Sequence, residues 1–284
     1  MRALLLCITL ILISALPGWP AEVLILQSSR DTAYSEAVRG FTTIYAGRER
    51  TVVLSDYAEI DVVRLFKEER PRIIFAVGQT ALFASRKVRE VPVLTLLAPS
   101  VSHQKQPANV TGIGILAEPG KYLKLFNSMG KRRIGVIYDP RKSGRYVHSA
   151  RQIARNLRLT LETIEVNNTN EVQSALKKLE GRVDAIWMLP DSTVVSAVNL
   201  EAFMLFSMAN KVPVVSYLKQ HLKSGAAASL DIDYFDLGRQ AGELCPQLRE
   251  RENLYGASLL NPRKVQLNTN DSVMQKLGVE ISGW

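Results

Sequence analysis

The chain has 284 residues, 46% of them hydrophobic and 22% charged, with a formal net charge of +9. That length can bury two cores of ordinary size, and these proportions exclude a disordered or fibrous chain. The basic excess does not point to nucleic acid: the lysines and arginines are dispersed, with only short clusters such as Lys131-Arg132-Arg133, and no aromatic-basic interleaving is present.

The first 21 residues differ from the rest. Arg2 precedes an apolar run from Ala3 to Leu16, and Pro17-Gly18-Trp19-Pro20-Ala21 follows. This is the pattern of a secretory signal peptide ending at Ala21, and it implies a periplasmic destination. An uncleaved membrane anchor is the alternative, although the run is short against the roughly 20 residues that a spanning helix needs. Removing the leader leaves Cys245 alone, so no internal disulfide is expected. Cys245 lies in an apolar helical stretch and reads as a buried structural thiol rather than a nucleophile.

From Glu22 onward, β-rich apolar runs alternate with helical patterns. Strands are predicted at Val23–Leu26, Thr51–Leu54, Ile73–Val77 and Val91–Leu97, with helices at Thr32–Tyr45, Asp61–Glu69 and Ala81–Val88 between them. After Ala108–Ala117 a second block predicts helices at Lys121–Met129, Gly144–Leu157, Glu171–Leu179 and Val194–Ala209. Its strands are Ile134–Tyr138, Leu161–Val166, Ala185–Leu189 and Val212–Tyr217. The small-residue segment Gly225–Asp233 then leads to a helix from Tyr234 to about Glu250, a short strand at Val265–Leu267 and a final helix at Ser272–Leu277. Continuously apolar strands alternating with helices imply parallel sheets covered on both faces.

The two blocks also resemble each other. RPRIIFAVGQTALFASRKVREVPVLTLLAP (70–99) and GRVDAIWMLPDSTVVSAVNLEAFMLFSMANKVPVVSYLK (181–219) each run through a basic residue, a buried strand, a polar turn, a helix and Val-Pro-Val. The fold class expected is therefore α/β, with two doubly wound parallel-sheet domains joined by hinge crossovers. Domain one spans 22–113, completed by the C-terminal elements 234–284, and domain two spans 114–233. Ligands of such sheets bind beyond the carboxyl ends of the strands. Two facing domains would set Gln79-Thr80 and Asp191-Ser192 on opposite walls of one cleft.

Three stretches carry a family resemblance: RRIGVIYDPRKSGRYVHSAR (132–151), VDAIWMLPDSTVVSA (183–197) and SGAAASLDIDYFDLGRQAG (224–242), with AVRGF (37–41) and NVTGI (109–113) as weaker matches. Together the chain resembles the substrate-binding components of ABC transporters with a type I periplasmic-binding fold, in the subfamily that includes tryptophan-binding members. The resemblance implies a protein that closes two domains around a small molecule and presents it to a membrane permease; the expected reading is a monomeric, non-enzymatic binding protein for a solute such as an amino acid or related metabolite. A sensor or adaptor for a membrane signalling partner is the alternative. Where family members carry Asp-Pro after the fourth strand, this chain has Ala98-Pro99.

The candidate ligand residues sit at strand ends. Asp191 and Ser192 either cap the following helix or meet the ligand, where free N–H groups at the helix start would attract a carboxylate and Asp191 would pair with an ammonium. Ser28, Ser29, Gln79 and Thr80 carry the same pair of readings. Tyr138 and Asp139 end another strand, with Asp139-Pro140 able to serve as a turn alone. Tyr217 offers a stacking surface, and Asp233 either contacts ligand or organises the hinge. Catalytic residues, metal ligands and cofactors are not expected. His103, His148 and His221 lie far apart without metal-binding spacing, Gly112-Ile113-Gly114 lacks the context of a dinucleotide loop, and no nucleophile elbow is present.

Overall fold

The structure is a computed structural model that describes residues 21–101, 106–250 and 259–284, so the expected signal peptide lies outside it apart from Ala21. Its first lobe comprises β1 (Val23–Gln27), α1 (Thr32–Ile44), β2 (Glu49–Val53), α2 (Val62–Glu69), β3 (Ile73–Val77), α3 (Gln79–Ser85), β4 (Val93–Leu96) and β5 (Val110–Ile113). The strands form one sheet in the order β2-β1-β3-β4-β5, and every pair is parallel. β1 and β3 are buried at every position because alternate residues feed opposite cores. Val23 and Ile25 pack with Ala37 and Phe41 of α1, whereas Leu24 and Leu26 pack with Leu65 of α2 and Leu82 of α3. Asp31 caps α1 by accepting the Ala33 N–H, and Asp61 caps α2 by accepting from Val63 and Arg64. Each cap stabilises by about 1 kcal/mol.

The second lobe contains α4 (Pro119–Ser128), β6 (Arg133–Tyr138), α5 (Pro140–Asn156), β7 (Thr160–Glu165), α6 (Val172–Lys178), β8 (Ala185–Trp187), α7 (Ala197–Asn210), β9 (Val214–Ser216), α8 (Gln220–Ser224) and β10 (Ala228–Ile232). Its sheet order is β11-β10-β9-β8-β6-β7, where β11 is Val265–Thr269. Trp187 points to the core under α4 and α5, against Tyr122, Phe126 and Tyr146, while Ile186 joins the opposite core with Phe203 of α7.

Two expectations are corrected at the C-terminal end. Within the segment 234–284, α9 (Tyr234–Glu250) packs on α1 and completes the first lobe's core through Leu237, Ala241 and Cys245. β11 instead pairs with β10, and Val273, Met274 and Leu277 of α10 (Asp271–Leu277) enter the second lobe's core. The β10–β11 pair is also antiparallel, an edge strand on an otherwise parallel sheet. The chain thus passes to the second lobe after β5 and returns after β10. It then crosses again through residues 259–264, where Leu260 bridges Ile113 at the edge of the first sheet.

Glycines set the contact between α1 and α9. A Cβ added at Gly40 would lie 1.9 Å from the Phe235 carbonyl oxygen, and one at Gly238 would lie 1.9 Å from that of Ala37. Both belong to family-like stretches, AVRGF and LDIDYFDLGRQAG. Their absence of side chains lets the returning helix seat directly on the first lobe.

Candidate functional site

Two turns at the carboxyl ends of β6 and β8 form the second lobe's wall, and two buried carboxylates tie them together. Asp139 caps α5 by accepting the Arg141 N–H at 2.9 Å, and its oxygens also accept the Arg141 guanidinium at 2.9 and 2.7 Å and the Thr193 hydroxyl at 2.8 Å. Asp191 accepts the Asp139 N–H at 2.9 Å, the Ser143 hydroxyl at 2.8 Å and the Thr193 N–H at 3.0 Å. Asp139 is 0% exposed and Asp191 1%. Such burial is tolerable because partners surround both charges. Hydrogen bonds from the Arg141 side chain hold the Asp139 carboxyl well below the usual carboxylate range, against the effect of burial and with help from Thr193.

This arrangement corrects the capping reading of Asp191. The helix after it starts at Ala197 and is capped by Ser196, which accepts the Asn199 N–H. Asp191 is therefore not its cap; it lines the adjacent cavity with its carboxylate already engaged by donors of its own lobe. The exposed neighbour, Ser192, accepts a hydrogen bond from Lys142 Nζ at 2.6 Å.

A cavity of about 310 Å³ opens beside these turns. Pro99 after β4 and Ile115 and Leu116 of the crossover approach it from one side, and Lys142, Ser192 and Tyr217 from the other. A wider hollow of about 910 Å³ between α4 and residues 278–284 holds none of the expected site residues. Tyr217 follows β9 with its ring edge-on to His221, centroids 5.2 Å apart, and His221 Nδ1 lies 2.5 Å from Ser216 Oγ. Burial lowers the His221 pKa, with the charge of Asp231 acting the other way. Burial also raises the Tyr217 hydroxyl pKa, and the charge of Asp191 adds to it. His221 has a sequence signal only in hindsight, five residues beyond a strand-end serine.

The other expected residues serve neighbouring contacts. Ser28 Oγ accepts the Ala81 N–H at 3.0 Å, linking β1 to α3. The Gln79 side chain donates to Ser100 Oγ at 2.6 Å and accepts the Ser100 N–H at 3.0 Å. Gly78 precedes it with φ +93°, and a Cβ there would meet Ser28 Oγ at 2.5 Å, so the turn requires glycine. Ser29 receives the Gln27 side chain on its carbonyl at 2.6 Å, and Thr80 is exposed. None of these four lines the cavity. Tyr138 is buried in the core and donates its hydroxyl to Glu165 at 2.7 Å on the adjacent strand, so it is not a cavity residue. Asp233 pairs with Lys264 at 2.7 Å and accepts the Asp236 N–H at 2.9 Å, organising the entry to α9. Of the ten residues, the structure gathers Asp139, Asp191, Ser192 and Tyr217.

Among the described residues no group of three or more His, Cys, Asp or Glu side chains could hold a metal ion. Burial pushes the Cys245 thiol up to about 12. No helix among the described residues is long and apolar enough to cross a membrane.

The comparisons with known proteins agree with this architecture. The family described as ABC transporter substrate binding protein matches residues 54–283. A tyrosine-binding protein of Clostridioides difficile (strain R20291) is 23% identical over 227 residues, covering 76% of this chain, and the match spans 65% of that protein's length. Among solved structures, a ligand-free, open substrate-binding protein with adhesive properties from Clostridium difficile superposes with a TM-score of 0.68 at 20% identity, covering 92% of this chain and 95% of the other. An ABC domain from Streptococcus pneumonia in complex with L-Trp gives a TM-score of 0.59 at 19% identity over 92% and 96% of the two chains. At such identities the structural likeness speaks for the fold, two α/β lobes of the periplasmic-binding type. The match across most of the length, together with this fold, shows that the chain belongs to the ABC transporter substrate binding protein family.

Proposed function

We propose that the protein is the exported solute-binding component of an ABC importer and that it holds one small molecule in the cavity between its lobes. The observation that carries this reading is the cavity's position. It lies at the carboxyl ends of β8 and β9, beside the Asp139–Asp191 network, and it is bounded from the first-lobe side by Pro99 and the crossover residues Ile115 and Leu116. Ligands of doubly wound sheets bind at this end.

The mechanism is closure about the crossovers. The second-lobe wall is rigid because its turns share buried hydrogen bonds, and the neutral first-lobe turns at Ser28–Ser29 and Gln79–Thr80 come down on a bound solute. A ligand favours the closed state only through contacts that the open state lacks. Amino acids and related metabolites are the first solutes to try, since similar proteins are described as tyrosine-binding or were solved with L-Trp. The closed form is then the one presented to a membrane permease, with the binding protein acting as a monomer.

Titration calorimetry of the purified protein with such solutes, paired with small-angle scattering, tests the reading. Binding accompanied by a smaller radius of gyration supports it. Absence of both binding and compaction across the panel would sink it. Tyr217→Ala removes the aromatic face of the cavity and is expected to weaken binding about tenfold or more, within the usual range for a buried aromatic contact.

A further inference from the structure

We propose that the solute is recognised through a carboxylate seated on Lys142, and that it belongs to the class of small monocarboxylates with an apolar body and no charged amine. This rests on the cleft reading above and narrows it.

The charge inventory at the strand ends points this way. Each carboxylate around the cleft is already engaged. Asp139 is taken by Arg141 and Thr193, and Asp191, which lines the cavity, has three of its roughly four acceptor positions filled by donors of its own lobe. Asp231 accepts the Lys219 N–H and the Ser229 hydroxyl, and Asp233 pairs with Lys264. In the first lobe, Asp31 caps α1 and Asp56 pairs with Arg30. Glu118 is exposed at the start of α4 but is not among the lining residues.

Lys142 is the contrasting case. It lines the cavity, and its ammonium is held by a neutral hydroxyl, Ser192 Oγ at 2.6 Å, with no carboxylate partner among the described residues. Arg141, its neighbour, is consumed by Asp139. Lys142 also stands in the first turn of α5, a 17-residue helix whose positive end adds to the attraction for an anion. Besides Lys142, Ser143, Pro190, Asp191 and Ser192, the lining is Pro99, Ile115, Leu116, Val195 and Tyr217, an apolar surface suited to an aryl or alkyl body. A solute ammonium in this space would meet Lys142 as a like charge and find Asp191 1% exposed. A carboxylate would find an ammonium, a hydroxyl and a helix start.

Calorimetry with a matched set separates the possibilities: 3-phenylpropanoate, phenylalanine and phenethylamine, and the 4-hydroxyphenyl counterparts of each. The propanoates are expected to bind about tenfold tighter than the amino acids, and the amines not to bind, in line with the strength of charge-assisted pairing. Lys142→Gln should weaken propanoate binding about tenfold or more while Lys142→Arg largely retains it, because the pair is charge-assisted. Lys142 is exposed, so an unchanged melting temperature is expected and separates lost binding from lost folding. The proposal is overturned if the amino acids bind tighter than the propanoates, if the amines bind comparably, or if Lys142→Gln binds propanoates like the parent protein. Binding of an amino acid with compaction and no dependence on Lys142 would overturn this inference and leave the clamp standing. If nothing in this set binds, this inference falls, and the wider solute panel with scattering decides the clamp separately.

Discussion

Asp191 accepts the backbone N–H of Asp139 at 2.9 Å across 52 residues of sequence, joining the end of β6 to the turn after β8 through one buried carboxylate. Because Asp191 also takes the Ser143 hydroxyl and the Thr193 N–H, its loss removes the acceptor of three donors in the second-lobe wall. Asp191→Ala should cost about 3 kcal/mol or more in urea denaturation, given the usual penalty for buried donors left unpaired. Asp191→Asn keeps a carbonyl acceptor and should cost less. Equal losses for the two variants would argue against the hydrogen bonds as the cause.

The contact of α1 with α9 makes a separate prediction. Gly40→Ala or Gly238→Ala places a methyl 1.9 Å from a backbone carbonyl oxygen, and neither helix can relieve this by turning a side chain. The helices must move apart, at a cost of about 1–3 kcal/mol or more. Denaturant midpoints of the two variants and of Gly130→Ala compare this directly, since a Cβ at Gly130 meets no atom within 4 Å, although its φ of +67° adds strain.

Acid should act on the wall through Asp139. Its pKa is depressed in the folded protein, so the stability it contributes is fully present above the unfolded value of about 3.9 and is lost as pH falls through the lower folded value. Arg141 is 67% exposed, which lets water screen its part of the effect. Melting temperatures measured from pH 7 to pH 3 should show the gap between the parent protein and Asp139→Asn beginning to narrow at the acid end. A gap independent of pH would reject the linkage.

His221 predicts a second pH effect at milder acidity. Burial lowers its pKa, so the fold prefers the neutral ring. Its contribution is present above the unfolded value of about 6.5 and is lost as pH falls through the lower folded value. Protonation puts a charge on this buried ring, which lies against Ser216 and edge-on to Tyr217. Stability of the parent protein should decline below about pH 6.5, and His221→Gln should flatten that decline.

Much of the fold was legible locally. Continuous apolar runs such as Ile73–Val77 announced strands buried on both faces, and the recurrence of Val147, Ala150, Ile153 and Ala154 announced the inner face of α5. Strand parity also carried more than was drawn from it. Ile134, Val136 and Tyr138 alternate onto one face of β6, which sends the Tyr138 ring into the core under α4 and α5 rather than toward the cleft. β11 was harder: a partly exposed five-residue strand bears no local mark of which lobe's edge it joins or in which direction.

Local pattern and family-like stretches were thus sufficient for two α/β lobes, for the placing of polar turns at strand ends, and for the family. Periodicity and turn chemistry are properties of neighbours in the chain, and they survive without knowledge of the rest. What each polar group does was settled by partners far away in sequence. Asp191 meets Asp139 and Ser143, Ser28 meets Ala81, and Gln79 meets Ser100 only after the strands have been brought side by side. Whether a carboxylate at a strand end is bare or already satisfied depends on that packing, because desolvation and hydrogen bonding act through space rather than along the backbone. Here packing engaged the Asp191 carboxylate within the wall it forms and left Lys142 and Ser192 exposed beside it at the cavity.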